Sequence, residues 1–372
     1  MIHYLGFYYS LNSDCRKNVS PAAITKMNYV SKKLSEATCG QVRIFGLGSS
    51  SGKTIKFYSG SHYKLCDNVR VSESATLGRK NFFFRMLDFL FSHFQLIKYM
   101  FCEIKGGDIV VVYHSLFYKY DILFFRLFRN NKIIMEVEEL FSAAWNKKDF
   151  KKEINYLSRF DAYIYVNDIM NKKFGFNKPF AVCYGNYDIS PNYRDRKELK
   201  KLIYAGVLGK EGSDVDLAID VMQYLPDNYD LKIAGYGRHD EVIYINNKIS
   251  DKRNIEFVGF LSGEEYEDFL SKGDVGLCTR VLPNELSDYT FPSKVLVYLS
   301  HGLVPLCPSI DCLKKSSVSK TIIFYEESAP ESIAKALMQE VKDSSTVRII
   351  KTLDNNFIYS LSAIIECLKS EN

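Results

Sequence analysis

The chain has 372 residues, a formal net charge of +5, and a composition that is 47% hydrophobic and 14% aromatic. That length suits two domains of about 180 residues, each able to bury its own core, and the absence of low-complexity or repeated segments excludes a fibrous or disordered chain. Nine cysteines with no Cys-x-x-Cys pair and no histidine-rich spacing argue against a zinc site or a disulfide framework and for a reduced cytosol.

In chain order, apolar runs predict strands at 2–8, 41–46, 54–58, 108–113, 132–137 and 162–166. Helical spacing predicts helices at 21–36, 82–101, 117–129 and 149–158. The opening Met1-Ile2-His3-Tyr4-Leu5-Gly6-Phe7 reads as a strand and lacks the basic and long apolar regions of a signal peptide. Alternation of this kind predicts a doubly wound sheet, in which ligands lie at the carboxyl ends of the strands. His114, Glu136, Glu138 and Glu139 fall at such ends, beside the expected cleft. Three carboxylates in four residues are costly to bury unless paired, so they are candidates for acceptor binding and catalysis; helix capping is the plain alternative. The run from Gly46 to Gly52-Lys53-Thr54 does not qualify as a phosphate loop. Leu47 occupies the position of the required first glycine, and a strand is predicted to follow where a helix is needed.

Charge is divided unevenly. Residues 1–185 carry 27 Lys and Arg against 15 Asp and Glu, whereas residues 186–372 carry 22 against 29. The basic half predicts contact with an anionic surface, and its aromatic segment from Arg79 to Phe101 favours a membrane over nucleic acid. Arg85, Asp88, His93 and Lys98 interrupt that segment, which predicts helices lying in the interface or in a core and no spanning helix.

The second half repeats strand, glycine turn and helix. Leu202 to Ala205 leads into Gly206, Gly209 and Lys210; Leu231 to Ala234 leads into Gly235 and Gly237; Ile255 to Val258 leads into Gly259. After the buried strand Asp274 to Cys278 and a loop, Phe291-Pro292-Ser293-Lys294 opens a helix that Gly302 ends, and Val304 to Cys307 is the next strand. Glycine turns and helix starts at strand ends expose N–H groups to a phosphate, so this half reads as nucleotide-binding. The join is expected at residues 184–193, and a last helix at 347–368.

The order YAGVLGKEG, LKIAGYG, IEFVGFLS, DVGLCTR and FPSKVLVYLSHGLVPL resembles the donor-binding domain of group 1 glycosyltransferases, a retaining family of GT-B fold. Asn18-Val19-Ser20-Pro21-Ala22-Ala23, Val112-Tyr113-His114 and Glu136-Val137-Glu138-Glu139 are similar to bacterial surface-polysaccharide transferases of that family. The resemblance implies two Rossmann-like domains facing across a cleft: residues 1–185 for the acceptor and 186–350 for the donor. Residues 351–372 would form a helix crossing back to the first. It implies retention, no obligatory metal or cofactor, a nucleoside diphosphate sugar as donor, and a saccharide or lipid-linked saccharide as acceptor. The location implied is the cytoplasmic face of the cell membrane, with peripheral contact and no nucleic acid.

Lys210 and Lys294 are the candidate diphosphate ligands, since cleaving a sugar–phosphate bond leaves negative charge on the diphosphate. Ser293 and Arg280 support them. Gly206, Gly209, Gly235, Gly237, Val258 and Gly259 form the expected nucleoside cradle. The family's paired glutamates align with Tyr289 and Val297, a departure for which Glu285 and Asp288 are candidate replacements. Two other functions share this pattern: a nucleotide-sugar 2-epimerase, and a non-catalytic nucleotide-sugar-binding partner of a transferase.

Overall fold

The computed structural model describes residues 1–10, 17–140, 142, 147–194, 199–279, 288–339 and 345–370. The chain divides into two compact units, Met1–Asn186 with Asn355–Asn372, and Tyr187–Asp354.

Unit 1 contains, in chain order, β1 (Ile2–Phe7), α1 (Pro21–Thr38), β2 (Val42–Leu47), β3 (Phe57–Tyr58), β4 (His62–Cys66), β5 (Val69–Glu73), β6 (Thr76–Leu77), α2 (Phe82–Cys102), β7 (Ile109–Tyr113), α3 (Lys119–Phe128), β8 (Ile133–Val137), α4 (Lys147–Leu157), β9 (Ala162–Tyr165), α5 (Asp168–Phe174) and β10 (Phe180–Val182). Eight strands form one sheet in the order β10-β9-β8-β7-β1-β2-β5-β4, and only β4 runs antiparallel to its neighbour. Val110–Val112 and Ile133–Met135 are fully buried, as expected of parallel strands covered on both faces. The strand predicted at 54–58 is reduced to the two residues of β3, which pair with β6 outside the main sheet. No helix follows Gly52-Lys53-Thr54. The aromatic segment is one helix, α2, started by Asn81, whose side chain accepts from Phe84 N at 3.1 Å. Only Asp88, Ser92, Leu96, Tyr99 and Met100 of α2 are buried, so it is not a pair of core helices.

Unit 2 contains β11 (Lys201–Val207), α6 (Asp214–Val221), β12 (Asp230–Tyr236), α7 (His239–Ile249), β13 (Ile255–Gly259), α8 (Gly263–Ser271), β14 (Val275–Leu277), α9 (Lys294–Ser300), β15 (Val304–Pro308), α10 (Asp311–Lys314), β16 (Ile323–Tyr325) and α11 (Pro330–Leu337). Its six strands are all parallel, in the order β13-β12-β11-β14-β15-β16. The first three strands wind one way and the last three the other, the doubly wound arrangement predicted for both halves. The last helix, α12 (Thr346–Ser370), places Phe357 against Tyr29 of α1, with ring centroids 6.0 Å apart. Phe357, Leu361, Ile365 and Leu368 are buried at helical spacing, which accounts for the helix forming there.

Candidate functional site

The predicted residues fall into two sets, one in each unit. In unit 2 the winding reverses between β11 and β14, and there the ladder is short: only Leu202↔Val275 and Ile203↔Gly276 pair. Beyond them the strands part. Tyr298 of α9 fills the gap, its hydroxyl 3.4 Å from Ala205 N and 3.3 Å from Leu277 O. A methyl group on Gly276 would overlap its ring. Tyr298 lies within the helix predicted between Lys294 and Gly302, and its two hydroxyl contacts pin α9 over the reversal.

That placement carries Lys294, the first residue of α9, to the carboxyl end of β11. Its ammonium lies 4.7 Å from the centroid of the Tyr204 ring, and a methyl group on Gly206 would overlap it. Gly206 stands opposite Gly235, where a methyl would overlap the Gly206 carbonyl. A methyl on Gly237 would meet Leu208 Cβ at 2.8 Å. Close approach of a carbonyl, a Cβ and a buried ring therefore favours glycine at 235, 237 and 276, whereas at 206 the neighbour is the movable end of Lys294. Gly209 lies against Ser213, which accepts from Asp216 N at the start of α6. Gly259, next to Val258, has φ +86°, a left-handed conformation that ends β13.

Lys210 is 2.7 Å from Asp240, both half-exposed, and this partner holds the Asp240 carboxyl below its usual range. Ser293 is exposed and makes no side-chain cap at the start of α9. Asp288 acts on Cys312 and Lys315 at α10; burial pushes the Cys312 thiol up to about 12, and Asp288 adds to the shift. Arg280 and Glu285 lie outside the described residues. Two exposed rings that sequence reasoning passed over, Tyr236 and Phe260, stand at the ends of β12 and β13 with centroids 6.0 Å apart.

In unit 1, Glu136 and Glu138 converge on Lys26 of α1. Lys26 Nζ donates to Glu138, lies 3.9 Å from Glu136 Oε1, and donates to Cys183 O at 2.6 Å. The Tyr4 hydroxyl donates to Glu136 Oε2. Glu136 is fully buried, and burial, reinforced by Glu138, pushes its carboxyl well above the usual range. His114 is buried too. Its Nδ1 lies 3.1 Å from Glu139 O and its Nε2 3.1 Å from Glu153 Oε1, while Glu153 Oε2 accepts from Ser142. Each ring nitrogen therefore lies within 3.1 Å of an oxygen, Nδ1 of a backbone carbonyl and Nε2 of a carboxylate. Glu139 itself is exposed. Lys26 and Glu153 had no signal as partners, because each meets its carboxylate or imidazole only through the fold.

No protein-family model and no curated protein matches the chain. Solved structures do. A trehalose-6-phosphate synthase from E. coli bound with UDP-2-fluoro glucose aligns with TM-score 0.64 at 8% identity, covering 100% of this chain and 98% of the other. The UDP-forming trehalose-phosphate synthase of Burkholderia vietnamiensis gives 0.61 at 11%, covering 99% and 98%. Anabaena HepE in complex with UDP gives 0.58 at 11%, covering 100% of both. The fold is that of GT-B glycosyltransferases.

Within this GT-B chain the buried Glu136 has a consequence for stability. Its native carboxyl retains a proton at pH values where the unfolded group, near pH 4.3, has lost it. The native state then binds more protons than the unfolded one, so stability falls as pH rises from the ordinary glutamate range through the raised native value. Glu136→Gln, always neutral and still able to accept from Tyr4, is expected to unfold with a flatter pH dependence in that window. Urea unfolding from pH 4 to 8 on the same scale checks this; an unchanged slope would contradict it.

Proposed function

We propose that the chain is a glycosyltransferase that moves a sugar from a UDP-sugar to a saccharide acceptor. The observation that carries the reading is the position of Lys294, an ammonium held against Gly206 at the carboxyl end of β11 where the strand order reverses. UDP or a UDP-sugar analogue is bound in two of the structures of like fold. Tyr236 and Phe260 offer an exposed aromatic ledge for the base.

The reaction breaks the bond between the anomeric carbon and the diphosphate oxygen, and the electron pair goes to that oxygen. Lys294, with Lys210 once drawn from Asp240, stabilises the charge as it develops. The acceptor hydroxyl approaches from the leaving-group face and passes its proton to the departing oxygen, so configuration is retained, and the two lysines supply positive charge at the diphosphate that a metal ion would otherwise bring. Glu139, which is exposed, and Glu138, which is only partly exposed beside Lys26, receive the acceptor hydroxyls; His114 and Glu136, which are buried, hold that end of β8 in place. The test is acceptor-dependent release of UDP. An epimerase would react without acceptor. Release under neither condition, with nucleotide bound, would favour a non-catalytic binding partner, the reading that Tyr289 and Val297 in place of glutamates support.

We assign the acceptor to the lipid-linked saccharides of surface-polysaccharide assembly, met by peripheral contact at the cytoplasmic membrane face. Among the described residues no helix is long and apolar enough to cross a membrane. However, α2 exposes Phe82 (81%), Phe83, Leu90 and Phe94 (63%), and α3 exposes Tyr120, Leu127 (78%) and Phe128. The two helices pack together, with Phe101 touching Phe124 and His93 Nδ1 2.6 Å from Asp121. Their only carboxylates, Asp88 and Asp121, are buried and hydrogen-bonded, which leaves Arg85 and Lys98 charged on the exposed surface. An apolar face rimmed by cations and stripped of carboxylates suits an anionic bilayer. Phe94→Ser with Leu127→Ser is expected to weaken sedimentation with phosphatidylglycerol vesicles by roughly tenfold or more, since each such side chain contributes about 1.5–3 kcal/mol when fully buried. Equal binding to neutral phosphatidylcholine, or self-association through this face in place of vesicle binding, would contradict the assignment.

A further inference from the structure

Three cations stand in a row across the sheet of unit 1. Arg43 of β2 is directly opposite Arg70 of β5, and Arg70 is directly opposite Lys64 of β4. Residues so paired share one face, and like charges there repel. The three line one cavity of about 620 Å³. Its floor is the stacked pair Phe45 and Tyr99, with rings 4.2 Å apart. The next row is Phe45, Ser72 and His62, with His62 Nδ1 3.0 Å from Ser72 Oγ.

Counter-charge is incomplete. Glu103 meets Arg43 at 2.6 Å, and Asp67 meets Lys64 at 2.7 Å with its carboxylate 96% exposed, where solvent and salt screen it. Among the described residues no carboxylate lies within ion-pair distance of Arg70. A lysine on the edge strand β4 discourages unwanted strand pairing and needs no other reason. That reason does not extend to the arginines, which sit on β2 and β5 inside the sheet. Each is the second residue of its parallel strand, remote from the carboxyl ends that carry His114 and Glu136.

We propose that this cavity binds a phosphoryl anion, gripped by the forked guanidinium groups of Arg70 and Arg43 with Lys64 as a third charge. A soluble phosphate ester and a phosphate headgroup of a lipid share this chemistry. The site is separate from the proposed donor site, so either can fail alone.

The experiment is calorimetric titration of the full chain with inorganic pyrophosphate at physiological salt, in wild type, Arg70→Ala, Lys294→Ala and the exposed control Lys53→Ala. Arg70→Ala should weaken one class of sites about tenfold or more and leave the class that Lys294→Ala removes; Arg70→Lys should restore part of it. Binding of phosphatidic acid vesicles that depends on Arg70, with no pyrophosphate bound at that site, would support the site and name the lipid as its source. An Arg70→Ala isotherm equal to wild type in both arms, or an equal loss in Lys53→Ala, would overturn the proposal.

Discussion

Lys26→Met is expected to destabilise unit 1 by about 3–5 kcal/mol, the cost of breaking a buried ion pair from one side. Lys26 is 5% exposed and serves Glu138, Glu136 and the Cys183 carbonyl at once. Methionine fills a similar volume but donates nothing, so Glu138 loses its cation and Cys183 O its donor. The Cys183 thiol, pushed up to about 12 by burial, stays neutral and cannot compensate. Glu138→Gln added to Lys26→Met should recover a large part of the loss, because the uncompensated charge is then gone. Chemical unfolding of the three proteins measures it. A cost below about 1 kcal/mol for Lys26→Met, the range of an exposed pair, would show that the cluster is solvated and open.

Lys294→Ala should lower the rate of acceptor-dependent UDP release by about 10²–10³ at saturating donor, the range for loss of one preorganised group facing developing charge. The lysine is near the Tyr204 ring and the Gly206 backbone, a position fixed by Tyr298 beneath α9. Its removal leaves the sheet intact, since Val295, Leu296, Tyr298 and Leu299 bury the helix independently. Lys294→Arg should restore only part of the rate, because a planar fork does not place its charge where a compact ammonium does. A rate unchanged in Lys294→Ala would remove this residue from the reaction and shift the role to Lys210.

The alternating strands and turns of unit 2 were legible because parallel strands covered on both faces read as continuous apolar runs, such as Leu202 to Ala205 ending at Gly206. The hairpin of β4 and β5 was not. His62, Lys64 and Arg70 turn to an open cavity and break the apolar pattern that would reveal a strand. β16 is three residues long, too short for periodicity to register. The carboxylates at 136–139 announced a polar site, but Lys26 lies in a helix more than a hundred residues earlier, where a lysine reads as solvated. The parting of β11 and β14, and the tyrosine that fills it, follows from register, which a sequence does not display.

The most direct test of the nucleotide site is thermal unfolding of the purified chain with UDP, GDP and ADP, in wild type and Lys294→Ala. A ligand that binds only the native state raises its stability by about 2.7 kcal/mol at a hundredfold excess over Kd. The account predicts a raised midpoint with UDP in wild type and its loss in the variant. A midpoint indifferent to every nucleotide, or a UDP shift that survives in Lys294→Ala, would contradict it.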